Sequence, residues 1–238
     1  MCSVSWLGGA AGLHVFFNRD EQRRRAPGLP PVSGHRNGVS FLFPVDGKAG
    51  GTWIAANDRG LIGCLLNHYA ASPSPPVSAE LSRGAILPAL MDAPSPRQAA
   101  ARIRESDARD HRPFLLLLLH PGEPGVCLRW DGASLESMEI AGPSGFLTTS
   151  SFRTGEVVPA RHAVAAALSP WTPESLRELH RSHVPERGPF SICMHRPDAH
   201  TVSFTHVHAG PDKILMEYHP GAPCQNRPAH PLSLPRHR

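Results

Sequence analysis

Cys2 is the residue of this sequence whose position most directly suggests chemistry. A residue as small as cysteine after the initiator methionine normally allows Met1 to be removed, which would leave Cys2 with a free α-amino group beside its own thiol. The α-amine has an unperturbed pKa of about 7.7–8.0 and a thiol one of about 8.5, so the amine can accept the thiol proton at neutral pH. One residue would then supply both nucleophile and base, as in enzymes with an N-terminal threonine nucleophile. The alternative is an inert cysteine that stands at position 2 by chance.

A charged cluster follows the first two predicted strands. Residues 3–7 and 13–17 are strand-like runs separated by a glycine-rich turn. A hairpin of these two strands would bring Arg19 and Asp20 back beside Cys2. Arg19 could lower the pKa of the thiol, and Asp20 could accept a hydrogen bond from the α-ammonium or hold Arg19. The alternative interpretation is a solvated polar turn.

A second hairpin places an amide side chain at the end of a strand. Residues 52–56 and 61–66 are strand-like and are joined by the turn sequence at 57–60. Asn67 follows directly, and a side-chain amide is a donor of the kind that stabilises an oxyanion. As an isolated asparagine it would mark only the end of a strand.

Six short motifs stand in order over the first 85 residues. They are Met1-Cys2, Asn18-Arg19-Asp20-Glu21, Gly50-Gly51-Thr52-Trp53-Ile54, Asn57-Asp58-Arg59-Gly60-Leu61, Leu66-Asn67-His68-Tyr69 and Ser82-Arg83-Gly84. Together they resemble the NRDE family, also called the transport and Golgi organisation protein 2 family. The resemblance extends over roughly residues 1–208, and beyond the first 85 it thins to fragments such as 148–151 and 201–203.

The family resembles the N-terminal nucleophile hydrolases, so the resemblance implies an α+β fold of that type. The expected architecture is a four-layer αββα sandwich in which two antiparallel sheets pack face to face. In hydrolases of this kind a cysteine attacks an amide, an arginine and an aspartate lie close to it, and an asparagine after a glycine-leucine hairpin helps hold the oxyanion.

Carried over by motif, these roles fall on particular residues of this chain. The resemblance implies Cys2 as the nucleophile, Arg19 and Asp20 as its electrostatic partners, and Asn67 as the oxyanion donor. Such hydrolases often have a second polar residue, an asparagine, at a position that falls around Ser150 of this chain. The serine departs from the family pattern, and this departure would weaken hydrolytic activity. The predicted substrate-binding residues within the same motifs are Asn18, Trp53 and His68.

Two classes of function follow from the resemblance. The first is an amide-bond hydrolase or acyltransferase that works through a thioester on Cys2. The second is a non-catalytic protein that binds and traffics haem or an acyl-coenzyme A or other lipid, because the family is linked to lipid metabolism and haem trafficking. The expected partner is thus a small-molecule amide, an acyl-coenzyme A or haem. No cofactor is required, and haem is a possible ligand.

The remaining sequence alternates between strand and helix patterns, which favours an α+β protein with mostly antiparallel sheets. Further strands are predicted at 39–43, 114–119, 126–130, 135–140, 190–195, 201–208 and 213–218, and helices at 79–91, 96–106, 159–168 and 172–183. The run at 114–119 is continuously apolar, which is typical of a central strand covered on both faces rather than of an acyl-chain tunnel. We predict one domain over residues 1–218 and a disordered, Pro- and His-rich tail over 219–238.

Composition excludes several classes of protein. The net charge of +4 is scattered along the 238 residues, so nucleic-acid binding is not expected. No apolar run reaches the roughly 18 residues of a membrane span, so we predict no integral membrane segment. The five cysteines form no Cys-x-x-Cys pair, which favours free thiols in a reducing compartment and a cytoplasmic location.

Fifteen histidines raise the question of a metal or haem site. His206 and His208 would lie on one face of a strand, with His195 and His200 nearby, and such a group could bind Zn²⁺ or haem. No His-x₃-His helix or cysteine-rich partner set accompanies them. We therefore interpret them as exposed strand histidines and predict no metal site.

Overall fold

Two antiparallel sheets form the protein in a computed structural model that describes residues 1–69, 81–105 and 108–237. The six-stranded sheet has the order β10 (Ser144–Thr149), β1 (Cys2–Gly9), β2 (Gly12–Gln22), β11 (Ala199–Ala209), β12 (Lys213–Pro220), β13 (His230–Pro235). The seven-stranded sheet has the order β3 (Gly28–Arg36), β4 (Val39–Asp46), β5 (Ile54–Asn57), β6 (Ile62–Asn67), β7 (Phe114–His120), β8 (Glu123–Trp130), β9 (Leu135–Ile140). Two predicted hairpins, β1–β2 and β5–β6, are confirmed.

The main core lies between the two sheets, because alternate residues of each strand point to the same face. Val4 and Phe17 of the first sheet and Ile54 of the second belong to one buried apolar cluster. On the central strand β7, Leu117 faces this cluster while its neighbour Leu116 faces the helices on the other side. The apolar run at 114–119 is therefore core on both faces, as predicted.

Four α-helices of the described residues lie on the outer faces of the sheets. The helices α1 (Ile86–Leu90) and α2 (Pro96–Glu105) pack on the seven-stranded sheet, and α3 (Thr154–Ala166) and α4 (Pro173–Arg181) pack on the six-stranded sheet. Leu176 and Leu179 of α4 are buried at the spacing of one helical face. Thr172 caps this helix by accepting a hydrogen bond from the Ser175 N–H at 3.1 Å.

Two of the predicted helices begin several residues away from their expected starts in the structure. The helix expected at 159–168 begins at Thr154 and carries Pro159 inside it, where the missing N–H leaves one carbonyl of the preceding turn without its helical bond. The helix expected at 79–91 starts outside the described residues and is reduced to a 3-10 turn at Arg83–Ala85 and the short α1. Gly84, in the 3-10 turn, packs directly on the backbone of Gly51.

The strand predicted at 190–195 is wrong. Residues 182–198 are irregular, apart from a single bridge between His195 and His200. Local groups satisfy the backbone donors of this segment, since the Cys193 N–H bonds to the Ser182 carbonyl at 3.0 Å and the Met194 N–H to Thr201 Oγ1 at 2.8 Å. The backbone therefore has no need of a strand partner there.

The chain after His219 differs from the predicted disordered tail. It forms a 3-10 turn at Pro223–Gln225 and then β13, which pairs with β12 along its whole length. Leu232 and Leu234 alternate inward and pack against the core between the sheets. Proline is tolerated here because β13 is an edge strand, in which one row of N–H groups needs no partner.

The prediction of exposed strand histidines is wrong for His206, which is buried. Its Nε2 lies 3.0 Å from Nδ1 of His14, and its Nδ1 lies 2.8 Å from a carboxylate oxygen of Glu217.

In the described part of the chain, no helix has the length and apolarity that a membrane span requires.

We predict that Leu234→Ala lowers the free energy of unfolding by about 1 kcal/mol, because the half-buried side chain loses contact with the core. Ser233→Ala, on the exposed face of the same strand, should change it by less than about 0.5 kcal/mol. Urea denaturation of both variants measures the difference. Equal, negligible effects would mean that residues 230–235 do not pack on the sheet.

His180 on α4 generates a pH prediction. Its Nε2 lies 2.9 Å from Ser5 Oγ, and burial lowers its pKa to about 3. The unfolded chain binds a proton there with a pKa near 6.5, so it holds more protons than the folded chain between about pH 6.5 and 3. The free energy of unfolding should therefore fall as the pH is lowered through this window.

His180→Gln removes this titration while keeping a polar partner for Ser5. Between pH 7 and pH 5 the wild type should lose about 1–2 kcal/mol more stability than the variant. The matched control is His237→Gln, which makes the same substitution at an exposed histidine. Parallel curves for wild type and His180→Gln would contradict the prediction.

Candidate active site

Strand pairing on both sides positions Cys2. β1 lies between β2 and β10, and the register places Cys2 opposite Arg19 on one side and Thr149 on the other. The Cys2 N–H donates to Thr149 Oγ1 at 3.2 Å. The cysteine is 6% exposed, and burial raises the pKa of its thiol.

A pocket of about 130 Å³ opens beside Cys2. Four of the other residues predicted for the site also line it: Arg19, Asp20, Trp53 and Asn67. Arg19 and Asp20 come from β2 in one sheet, whereas Asn67 ends β6 in the other. The pocket therefore opens where the two sheets meet, and the structure brings these residues together.

Arg19 is held by stacking and by an ion pair. Its guanidinium lies 4.1 Å from the centre of the Trp53 ring and pairs with the carboxylate of Asp46, to which Arg25 also donates at 3.1 Å. Burial acts to raise the pKa of Asp46, but the backbone N–H groups of Ala49 and Lys48 and the two arginines outweigh it and lower that pKa. Arg19 is thus a fixed positive charge beside the thiol.

Asp20 lines the pocket, but its carboxylate lies on the face of the sheet that α3 covers, opposite to Arg19. Thr201 Oγ1 donates to its carboxylate at 2.7 Å, and Arg161 of α3 lies 3.7 Å away. The side chains of Asp20 and Arg161 are both fully buried. Burial raises the pKa of Asp20, and the neighbouring Arg161 opposes this effect. One carboxylate therefore links β2, β11 and α3 directly behind Cys2.

Met1 occupies the space next to Cys2. Its ammonium donates to the Tyr69 hydroxyl at 3.1 Å, and Asn67 Nδ2 donates to the same hydroxyl at 2.8 Å. The Met1 side chain packs with Met194, and its sulfur lies 3.5 Å from Ser150 Oγ. Tyr69 and Ser150 therefore line the space that Met1 occupies beside Cys2.

Three of the predicted residues lie outside the pocket lining. The Asn18 amide donates to the carbonyls of His180 and Ile192 at 2.8 and 3.0 Å, so it ties β2 to the segments around α4. His68 follows Asn67 but is not part of the lining. Ser150 contacts Met1 and donates to the Phe152 carbonyl at 2.7 Å.

Sequence reasoning missed Asp46, Thr149 and Arg161 as parts of the site. Asp46 carries no motif that distinguishes it from other aspartates in turns. Arg161 had a signal, since it lies among the alanines and valines of a helix that must bury one face. An arginine on such a face requires a buried anionic partner.

The chain matches a family model by sequence and several solved structures by fold. The family model described as Transport and Golgi organisation 2 matches residues 10–149. No curated protein sequence matches the chain.

Among solved structures, the Caenorhabditis elegans ortholog of N-acylethanolamine-hydrolyzing acid amidase has a TM-score of 0.61 at 13% identity and covers 87% of this chain and 92% of its own. Penicillin V acylase from Agrobacterium tumefaciens has a TM-score of 0.57 at 12% identity, covering 92% and 83%. The C2A mutant of conjugated bile acid hydrolase from Clostridium perfringens has a TM-score of 0.57 at 12% identity, covering 98% and 92%. At these identities the likeness shows that the chain shares their fold.

We predict that Arg161→Met lowers the free energy of unfolding by about 3–5 kcal/mol, because it leaves the buried Asp20 carboxylate without its cation. Arg153→Met is the matched control, since it removes an exposed arginine that pairs with Glu156 in solvent and should cost far less stability than Arg161→Met. Adding Asp20→Asn to Arg161→Met should restore part of the loss. Chemical denaturation measures all three, and equal losses in the two single variants would contradict the prediction.

Proposed function

Because the chain belongs to the Transport and Golgi organisation 2 family and has the fold of N-terminal nucleophile hydrolases, we propose that it cleaves or transfers an acyl group through a thioester on Cys2. The observation that most supports this is the convergence of Cys2, Arg19 and Asn67 on one pocket. The structural neighbours are named as an amidase, an acylase and a hydrolase, which agrees with cleavage of an amide bond.

The proposed reaction requires removal of Met1. While Met1 is attached, the nitrogen of Cys2 is an amide and cannot act as a base, and the buried thiol keeps its proton because its pKa is raised. Removal would free an α-amine at the position where the Cys2 nitrogen now donates to Thr149 Oγ1. It would also leave the Tyr69 hydroxyl and Ser150 Oγ facing the vacated space.

Acylation follows from these groups. The α-amine takes the thiol proton, and the sulfur forms a bond to the carbonyl carbon of the substrate while the carbonyl oxygen takes up the negative charge. Asn67 has a second amide hydrogen besides the one given to Tyr69, and this hydrogen can donate to the oxyanion. The tetrahedral intermediate then releases the amine, which takes its proton from the α-ammonium, and leaves a thioester on Cys2.

Deacylation repeats the sequence with water. The α-amine takes a proton from water, the oxygen attacks the thioester carbonyl, and the C–S bond breaks as the sulfur regains a proton. A second amine or alcohol in place of water would make the protein an acyltransferase. Throughout, Arg19 supplies a fixed positive charge beside the sulfur, because Asp46 and Trp53 hold its guanidinium in place.

Arg83 suggests the kind of substrate. It lines the pocket and donates to the Pro113 carbonyl at 2.8 Å, and within the described residues no carboxylate lies within 4.0 Å of it. Arg19 and Arg25, by contrast, both pair with Asp46. An anionic group on the substrate would give Arg83 the partner that Arg19 and Arg25 already have, so we propose an amide that carries a carboxylate or similar anion.

The alternative is a non-catalytic protein that binds haem or an acyl-coenzyme A. The pocket volume of about 130 Å³ is below the roughly 300–1,000 Å³ of sites that enclose a drug-sized ligand. A haem would therefore need the pocket to open, whereas an amide carbonyl and its flanking atoms would not. The small volume of the pocket therefore favours amide hydrolysis over haem binding.

The test is covalent labelling of Cys2 followed by intact mass spectrometry. The full chain should be isolated without Met1, and an activated p-nitrophenyl ester should add one acyl group to Cys2 and be turned over. Cys2→Ala should abolish the adduct, and Cys127→Ala, which alters a buried cysteine of β8, should leave it unchanged. An N-acyl amino acid should be cleaved faster than the corresponding neutral N-acyl amine, because only the former offers Arg83 a carboxylate.

Retention of Met1 in the labelled protein, or equal labelling of Cys2→Ala, would contradict the proposal. Saturable binding of haem or acyl-coenzyme A that survives Cys2→Ala, in the absence of any acyl adduct, would favour the carrier function instead.

A further inference from the structure

Two histidine and two cysteine side chains form a cluster outside the pocket beside Cys2. His183, Cys193 and His195 belong to the irregular segment 182–198, and Cys224 belongs to the 3-10 turn Pro223–Gln225. Their ligand atoms all lie within 4.8 Å of one another. The five cysteines of the chain are free, so neither of these two is held in a disulfide.

The distances within this group match those of a tetrahedral metal site. Zn–S bonds of about 2.3 Å and Zn–N bonds of about 2.0–2.1 Å at the tetrahedral angle place sulfur and nitrogen roughly 3.5 Å apart. His195 Nε2 lies 3.6 Å from Cys193 Sγ and 3.5 Å from Cys224 Sγ. The His183 and His195 rings meet edge to face at a centroid separation of 5.1 Å.

We propose that His183, Cys193, His195 and Cys224 bind one Zn²⁺ ion. Two thiolates and two imidazoles form the ligand set that selects zinc among the common divalent cations, whereas Mg²⁺ and Ca²⁺ prefer oxygen ligands. Four protein ligands fill the tetrahedral shell and leave no position for water or substrate. The site is therefore structural rather than catalytic.

The location explains what the metal would do. The segment 182–198 has 17 residues without a regular strand or helix, and loops of that length inside a compact domain are uncommon unless something holds them. Zinc would fasten this segment to the turn that follows β12. Its residue Met194, between two of the ligands, packs on Met1, so the metal would also stabilise one wall of the space beside Cys2.

Arg187 is the charged group that must adjust. Its guanidinium lies 3.4 Å from Nδ1 of His195 and is exposed. Coordination through Nε2 leaves a hydrogen on Nδ1, which cannot bond to an arginine donor. Since Arg187 lies at the surface, its side chain can turn into solvent when the metal binds.

The spacing His-x₉-Cys-x-His-x₂₈-Cys differs from the paired short spacings by which zinc sites are read from sequence. His195 was considered as a ligand together with His200, His206 and His208, and the lack of a His-x₃-His helix or a cysteine-rich partner set led to the prediction of no metal site. Cys224 joins the other three ligands only because the chain returns past segment 182–198 after β12.

The experiment measures metal on the purified full chain under reducing conditions. Elemental analysis should give one zinc per chain. After chelation, addition of Co²⁺ should produce the visible bands of a tetrahedral ion and a thiolate-to-cobalt charge-transfer band, and Zn²⁺ should displace it. The chelated protein should melt at a lower temperature than the zinc-loaded one.

Cys224→Ala and His183→Gln should each weaken Zn²⁺ binding by more than about 100-fold, because each removes a direct ligand. Both side chains are partly exposed, and circular dichroism and the melting curve verify that the variants fold. Cys224→His, which supplies another ligand, should recover a tetrahedral cobalt spectrum without one of its thiolate bands. Cys127→Ala is the matched control and should bind zinc like the wild type.

A wild-type chain that binds neither Zn²⁺ nor Co²⁺ after reduction would overturn the proposal. A cobalt spectrum that is unchanged in Cys224→Ala would also overturn it. The same holds for a Cys193–Cys224 disulfide that survives treatment with reductant. Because these readouts do not involve acylation of Cys2, they test the zinc site independently of the proposed hydrolase activity.

Discussion

The arrangement of the site depends on one constraint, the pairing of β1 with a strand on each side. β2 and β10 fix the register of β1, so that Cys2 lies opposite Arg19 and Thr149. A slip of one residue on either side would turn Cys2 to the other face of the sheet, because side chains alternate with a period of two. The polar groups that surround the cysteine are therefore placed by backbone hydrogen bonds rather than by flexible loops.

Buried charge couples this sheet to the layer of helices outside it. Asp20 leaves the β2 backbone next to Arg19 but points the opposite way, towards Thr201 and Arg161. Adjacent residues of one strand thus serve the two faces of the sheet, one facing the pocket and Trp53, the other binding α3. The cost of burying Asp20 is met only when α3 is docked, so the local environment of Cys2 and the packing of the helix form together.

Much of this could be predicted from the sequence where the signal is local. The hairpin before Arg19, the hairpin before Asn67 and the cap at Thr172 are each encoded within a few residues. The groups that were missed depend on contacts between distant segments, as with Asp46 and Arg161. The segment at 190–195 was mistaken for a strand because its apolar residues are buried by packing on neighbouring segments, which a local pattern cannot distinguish from pairing.

Proline takes on a further meaning at the sheet edges. β13 ends the six-stranded sheet and contains Pro231 and Pro235, and β3 ends the seven-stranded sheet, with Pro30 and Pro31 at a break in its register with β4. A proline cannot donate a backbone hydrogen bond to an incoming strand. At these two edges a second copy of the protein finds an interrupted row of donors, so the prolines, including those of the tail predicted to be disordered, disfavour edge-to-edge aggregation.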